Sequence, residues 1–157
     1  VVDLRLRLNE DGADLVLEDG DLALDGGLES AALAALFTDG RVDPPAPPVD
    51  GERRGYWADT AADRYGSLLW TQDRQTIRTP VLVKIQEHAG RALGWMLEDG
   101  IAERIEVVAG RFGREVVTLE VTILRGSANR WAGIWASIAD ATTVEVDGMR
   151  VKLLPLA

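Results

Sequence analysis

Histidine is the side chain whose charge turns over nearest neutrality, and this sequence carries one, His88. A lone imidazole becomes a general base only when a nucleophile or carboxylate is brought to it, and no His-Glu-x-x-His, Gly-x-Ser-x-Gly or phosphate-loop pattern supplies one. The pair of glycines in Gly110-Arg111-Phe112-Gly113 lacks the rest of a dinucleotide fingerprint. Carboxylates offer a second chemistry. Glu52, Asp59 and Asp63 flank Tyr56, Trp57 and Tyr65, and two acids at the right separation, one held protonated, hydrolyse glycosides. Any acidic chain presents such pairs, so the pattern is weak. The aspartates of "DLVLEDGDLALD" suggest calcium, yet counting from Asp19 the fifth and sixth positions are Ala23 and Leu24, where an oxygen ligand and a glycine belong. Without cysteine there is no thiolate, disulfide or cysteine-bound zinc. The sequence therefore points to no catalytic residue, no metal and no cofactor.

The elements that would position these residues are legible from periodicity. In "TPVLVKIQEHAGRALGWMLEDG", Val81, Ile85, Ala89, Ala92, Leu93 and Met96 recur at helical spacing, with Thr79 as N-cap, Pro80 in the first turn and Gly100 past the end. His88 falls near the apolar stripe of this central helix, which predicts a partly buried, hydrogen-bonded core histidine. A shorter helix is expected over 27–37, with Leu33, Leu36 and Phe37 buried and Asp39-Gly40 as its stop.

Strand patterns surround the helices. Val2, Leu4, Leu6 and Leu8 alternate with polar residues, and a turn at Asp19-Gly20 would set Leu17 opposite Leu22 and Leu15 opposite Leu24. Two antiparallel strands are expected on either side of Gly110–Gly113, carrying Ile105 and Val107, then Val117, Leu119, Val121 and Ile123. In "NRWAGIWASIAD", Trp131, Ile134, Trp135 and Ile138 favour a short amphipathic helix, though Trp and Ile also suit a strand. A last hairpin, 142–154, turns at Asp147-Gly148 and pairs Val144 with Val151 and Glu145 with Arg150. Together these predict an α+β fold: a small, mostly antiparallel sheet with hairpins, packed on a central helix with one or two shorter helices. The 157 residues suit one domain, 1–157.

One segment resists this scheme. From about 38 to 66 no period is sustained, and Pro44, Pro45, Pro47 and Pro48 suggest a stiff, extended stretch. It ends in "GERRGYW", where two readings stand: Trp57 plugs the core while Arg53 and Arg54 hold nearby carboxylates or carbonyls, or the cluster contacts another protein. Trp70 and Trp95 read as core. Charge helps to define the partner. Residues 1–50 hold 12 acids and 3 arginines while 51–157 hold 14 of each sign, so the net charge of −9 lies wholly in the first third. Nucleic acid needs a concentrated basic face, which is lacking, and no apolar run approaches the ~18 residues of a membrane span.

The motifs "GDLALDGGLESAALAALFTD", "ERRGYWAD", "GSLLW" and "ALGWMLEDGIAERIEV" occur in an order and spacing that resemble the Mu-like phage baseplate wedge proteins, relatives of the sheath initiators of contractile tails. The likeness spans about residues 19–125, with Glu52 as the acid before Arg-Arg-Gly and the terminal hairpin outside it. It implies a non-enzymatic part of a contractile tail, tailocin or injection machine, assembled in the bacterial cytoplasm and resident in the virion or tail baseplate. The implied partners are other wedge subunits and the tail sheath protein, with spike or tube proteins nearby, and neither nucleic acid nor membrane. Arg53, Arg54, Tyr56 and Trp57 would form a platform for wedge subunits. Val144, Val146, Val151 and Leu153 of the terminal hairpin would add a strand to the sheath. Some relatives carry a lysozyme label, and the alternative reading is a muramidase-like glycosidase acting on peptidoglycan.

Overall fold

In a computed structural model the chain is described over residues 3–9, 12–25, 28–46, 49, 51–73, 75–112, 116–125, 129–138, 143–146, 149–152 and 154–155. The α+β expectation holds. Chain order begins with six short strands, β1 (Asp3–Leu4), β2 (Leu6–Asn9), β3 (Gly12–Leu15), β4 (Leu17–Glu18), β5 (Asp21–Leu22) and β6 (Leu24–Asp25). Helices α1 (Glu29–Phe37), α2 (Thr79–Leu93) and α3 (Trp95–Glu98) follow, with a 3₁₀ turn at Leu69–Gln72 between the first two. The remaining strands are β7 (Arg104–Phe112), β8 (Val116–Arg125), β9 (Asn129–Ile138), β10 (Thr143–Val146), β11 (Met149–Lys152) and β12 (Leu154–Pro155).

The core forms where α1 and α2 meet the sheet. Ala32, Ala35 and Leu36 of α1 and Ile85, Ala89, Ala92 and Leu93 of α2 bury with Met96 against Leu119, Val121 and Ile123 of β8. Between these three positions of β8 stand exposed Glu120 and buried Thr122, so the alternation of a one-sided strand holds only at its start. Phe37 is exposed rather than buried: by helical spacing it shares the arc of Ser30 and Leu33, but it is the last residue of α1, where the chain turns extended at Thr38. Thr79 is the first helical residue of α2 rather than its N-cap; Arg78 is extended and its carbonyl accepts from the N–H groups of Val81 and Leu82. The helical run then tightens at Gly94, whose N–H donates to the Arg91 carbonyl three residues back, so one expected helix becomes α2 and α3.

The main sheet has the order β12-β9-β8-β7. Strand β7 runs through the expected Gly110–Gly113 turn as far as Phe112, with Phe112 opposite Val116. The segment expected to be an amphipathic helix is instead β9, paired antiparallel with β8 from Val117↔Ser137 to Arg125↔Asn129. Trp and Ile favour a strand when an unpaired ladder is beside them, and β8 offers that ladder. Parallel β12 pairs with the end of β9 at Ser137 and Ile138, while Gln86 of α2 reaches the Ala109 N–H of β7 at 3.5 Å. The terminal hairpin has the expected register, Val144↔Val151 and Glu145↔Arg150, and forms a ladder of its own. Its Asp147-Gly148 turn lies outside the described residues, as does Val2.

At the N-terminus the expected hairpin is present only at its tip. Leu17 pairs with Leu22 across Asp19 (φ 52°) and Gly20 (φ 84°), the two positive φ values of a type I′ turn. Leu15, however, pairs with Leu6, and Leu24 with Leu4. The reason is a three-way junction: the Arg5 N–H donates to the Ala23 carbonyl, the Ala23 N–H to Val16 and the Val16 N–H to Arg5, at 2.8, 2.8 and 3.0 Å. Each of the three chain segments satisfies the next, so the first strand divides at Arg5 and serves two partners.

Candidate functional site

The long loop is closed at its base by backbone. Ser67 donates its N–H to Thr38 at 2.8 Å, and Gly40 donates to Ser67 at 2.6 Å. The Ser67 hydroxyl reaches the Leu36 carbonyl at 2.5 Å, which ties the loop to the end of α1. The approach is tight enough to exclude side chains: a Cβ on Gly66, which has φ +93°, would lie 2.5 Å from the Thr38 oxygen. Beneath the closure Trp70 is buried, and its indole N–H donates to the Gly40 carbonyl at 2.9 Å.

The two arginines hold the loop from within. Arg53 Nη1 donates to the carbonyls of Val42 and Ala46, each at 2.9 Å, and so brackets a turn that Ala46 N–H closes onto Asp43. Pro44-Pro45 therefore forms a turn and not an extended stretch; Pro47 and Pro48 lie outside the described residues. Arg54 stacks over the Trp70 ring, 4.6 Å from its centroid, while Nη1 meets Asp39 at 2.8 Å and Nε meets Glu52 at 3.1 Å. Bonds to Glu52 and then Asp39 hold the guanidinium's pKa above its ordinary value. Arg54 is also one of two non-glycine residues with positive φ, at 41°, among the described residues. A backbone conformation that L-residues avoid is here held by three side-chain partners.

Past this anchor the chain makes a β-turn, closed by the Asp59 N–H on the Tyr56 carbonyl at 3.1 Å, with Trp57 and Ala58 at its tip. Trp57 is 87% exposed. The expectation that it plugs the core is thus overturned: Trp70 takes that place, and the backbone bonds of the turn point Trp57 outward. Its ring touches Tyr56, which in turn touches Tyr65, with both centroid distances 5.5 Å. A second turn, Thr60 N–H to Asp63 and Asp63 N–H to the Thr60 hydroxyl, stiffens the far side.

Of the carboxylates of the glycosidase reading, Glu52 and one oxygen of Asp59 have other partners, while Asp59 Oδ2 is buried without a hydrogen bond. Glu52 pairs with Arg54, and Asp59 accepts the Tyr65 N–H at 3.0 Å with its side chain almost wholly buried. His88 is half-buried on α2, and its Nδ1 is buried without a hydrogen-bond partner, which corrects the expectation of a bonded histidine. Burial lowers its pKa, and Arg91 and Lys84 add to this against the opposite pull of Glu87. Val144, Val146 and Val151 sit on the β10–β11 ladder, far along the chain from the loop, and Leu153 lies outside the described residues. Sequence reasoning missed Asp39 and Trp70 as partners of Arg54. The visible signal was the pair Gly40 and Gly66 bracketing the loop.

The family model described as Phage protein GP46 matches residues 28–130, which include α1, the whole loop and its arginine anchor. This chain belongs to the phage GP46 family. It is 36% identical over 124 residues to the Mu-like prophage FluMu protein gp46 of Haemophilus influenzae, covering 78% of this chain and 86% of that protein. It is 30% identical over 112 residues to the baseplate protein gp46 of Escherichia phage Mu, covering 69% and 77%. The anchored loop and Trp57 lie inside the GP46 match, the three-way junction precedes it, and β10 to β12 follow it.

Proposed function

We propose that this protein is a structural subunit of the baseplate of a Mu-like contractile tail, joining the inner baseplate ring to the first ring of sheath. The observation that carries the reading is its place in the GP46 family together with the named baseplate relative of phage Mu. The loop geometry supports a gripping role rather than a cutting one. A tryptophan held out on a bonded turn loses little conformational freedom on docking, which is what a contact anchor needs. In this reading Arg53 and Arg54 organise the platform from inside while Tyr56 and Trp57 meet other wedge subunits.

The sheath contact is assigned to the terminal hairpin. Among the described residues β10 and β11 pair only with each other, and β11 lies close to β9, which leaves the outer edge of β10 for a neighbouring strand. Val144, Val146, Val151 and Leu153 would set the register. Complementation of a tail cluster lacking this gene tests both parts. The full chain is expected to restore sheathed tails and to be found in purified particles, and a chain lacking residues 142–157 is expected to give baseplates without sheath. Normal tails in the absence of the chain would sink the baseplate reading; normal sheath with the truncated chain would sink strand addition alone.

A further inference from the structure

The loop tip and a groove near it have the chemistry of a plug and its socket. Between Tyr56 and Asp63 the exposed residues are Trp57, Ala58, Thr60, Ala61 and Ala62. Asp59, the one charged residue of that stretch, has its side chain almost wholly buried. The tip is thus an uncharged knob on a chain in which 27% of residues are charged. The groove, of about 400 Å³, is lined by Leu4, Leu6 and Leu15 of the N-terminal strands, Ala31 and Ala34 of α1 and Trp95 of α3. Tyr65 and Ser30 complete the lining, so it too holds no charged side chain, and the Ser30 hydroxyl already accepts the Leu6 N–H at 2.9 Å. A site lined in this way suits a large, neutral, mostly apolar group, because a charge entering it would lose its hydration without gaining a partner.

Tyr65 ties the two features together. It lines the groove, its ring stands 5.5 Å from Tyr56, and the Tyr56 ring stands 5.5 Å from Trp57. Knob and groove are therefore neighbours on the surface, two ring contacts apart, while Trp57 is not among the residues that line its own chain's groove. A two-fold axis beside them lets each of two copies offer its knob to the other's groove, so that one encounter makes both contacts. We infer that a second copy of this chain fills the groove, with Trp57 of each copy seated among the leucines and alanines of the other. A seated tryptophan buries about 150–250 Å². Two such contacts with their flanking alanines make a small interface, below about 1,200 Å² in total and of the transient class. The turn that already holds Trp57 outward limits the ordering cost. Each copy carries a net charge of −9, which opposes the approach of the two chains but not the neutral contact itself. This pairing deepens the reading of Trp57 as a contact anchor and rests on it, but not on the baseplate assignment.

Sedimentation equilibrium of the purified chain tests the pairing. The wild-type chain is expected to pass from one copy to two across the micromolar range, and Trp57→Ala and Leu15→Asp should each weaken this at least about tenfold. Both positions are exposed, and circular dichroism checks that the variants fold. Trp57→Ala keeps its groove and Leu15→Asp keeps its knob, so a mixture of the two restores one of the two contacts and should pair more tightly than either variant alone. Raising salt from about 0.05 M to about 0.5 M should strengthen wild-type pairing, because it screens two like-charged chains while the contact holds no ion pair to lose. A photoreactive benzoylphenylalanine replacing exposed Ala58 should cross-link to residues 4–15 or 30–34 of a second copy, and the same probe at exposed Val83 should not. A chain that stays single throughout, a mixture no better than its parts, or pairing weakened by salt would overturn the proposal. A single chain whose Trp57→Ala variant still loses sheathed tails would refute the second copy and leave the anchor reading standing. Absence of the chain from purified tails would instead refute the baseplate reading and leave the pairing in solution untouched.

Discussion

Arg54 lies over Trp70 with its guanidinium carbon 4.6 Å from the ring centroid, and this contact ties the middle of the long loop to its base. The tryptophan is fixed from the other side by its bond to Gly40, and the arginine by Asp39 and Glu52. Each partner comes from a different stretch of the loop or its base, so the loop's shape depends on one side chain. Arg54→Ala should therefore leave the helices intact but free the segment between 43 and 64. Limited proteolysis is expected to cut that segment several-fold faster in the variant, with little change in helical circular dichroism. Arg54→Lys should behave like alanine, because an ammonium cannot stack flat on the ring and fork to two carboxylates. An unchanged cleavage rate would show that the backbone closures suffice.

Trp57 separates folding from assembly. Since 87% of its surface already faces solvent, Trp57→Ala should change the unfolding free energy by no more than about 0.5 kcal/mol. If the ring is a contact anchor, its loss from the interface should cost about 2 kcal/mol or more of binding. The check is a urea titration of the purified chain beside a count of sheathed tails from complemented cells. A stable variant that assembles normally would remove Trp57 from the interface.

Periodicity made the central helix and the β7–β8 pair readable, because in each case one face is buried and the other is wet, while the terminal register followed from counting outward from Asp147-Gly148. It failed where a third partner intervened. Leu15 and Leu24 match across a hairpin by count, yet the N-terminal strand enters between their segments and takes both. Trp131 and Trp135 fall on a helical stripe, but β8 recruited their segment into a ladder whose stabilisation is non-local. For the loop, "ERRGYW" announced an aromatic and cationic cluster without saying which residues point in. That answer depends on Asp39 and Trp70, which lie outside the motif at either end of the loop and carry no periodic signal.

The closure at Gly66 should be less tolerant than its place in a loop suggests. Gly66→Ala places a Cβ 2.5 Å from the Thr38 oxygen on a backbone at φ +93°. The positive φ alone costs about 1–2 kcal/mol, and the backbone clash adds to it. Gly20→Ala is the matched control, with φ +84° and no atom within 4 Å of the new Cβ. Urea midpoints should fall for both, with Gly66→Ala clearly lower. Equal midpoints would mean that the 38–40 and 66–67 segments can part at little cost.

His88 sets a pH dependence whose sign follows from its burial. Its pKa in the folded chain lies below the ordinary 6.5, mainly because burial disfavours the imidazolium and secondarily because Arg91 is near. Between that depressed value and about 6.5 the unfolded chain binds the proton and the folded chain does not, so stability rises with pH across this window. The contribution is whole at pH 7 and is lost progressively as pH falls below about 6.5. Carboxylates also titrate on the acid side, which makes the difference between two chains the useful quantity. His88→Leu keeps an apolar group against Ile85 and Ala92 and removes the titration. Urea midpoints measured from about pH 7.5 down to about pH 5 should therefore fall more steeply for the wild-type chain than for the variant. Parallel curves would mean that the imidazole protonates as readily in the folded chain as in the unfolded one.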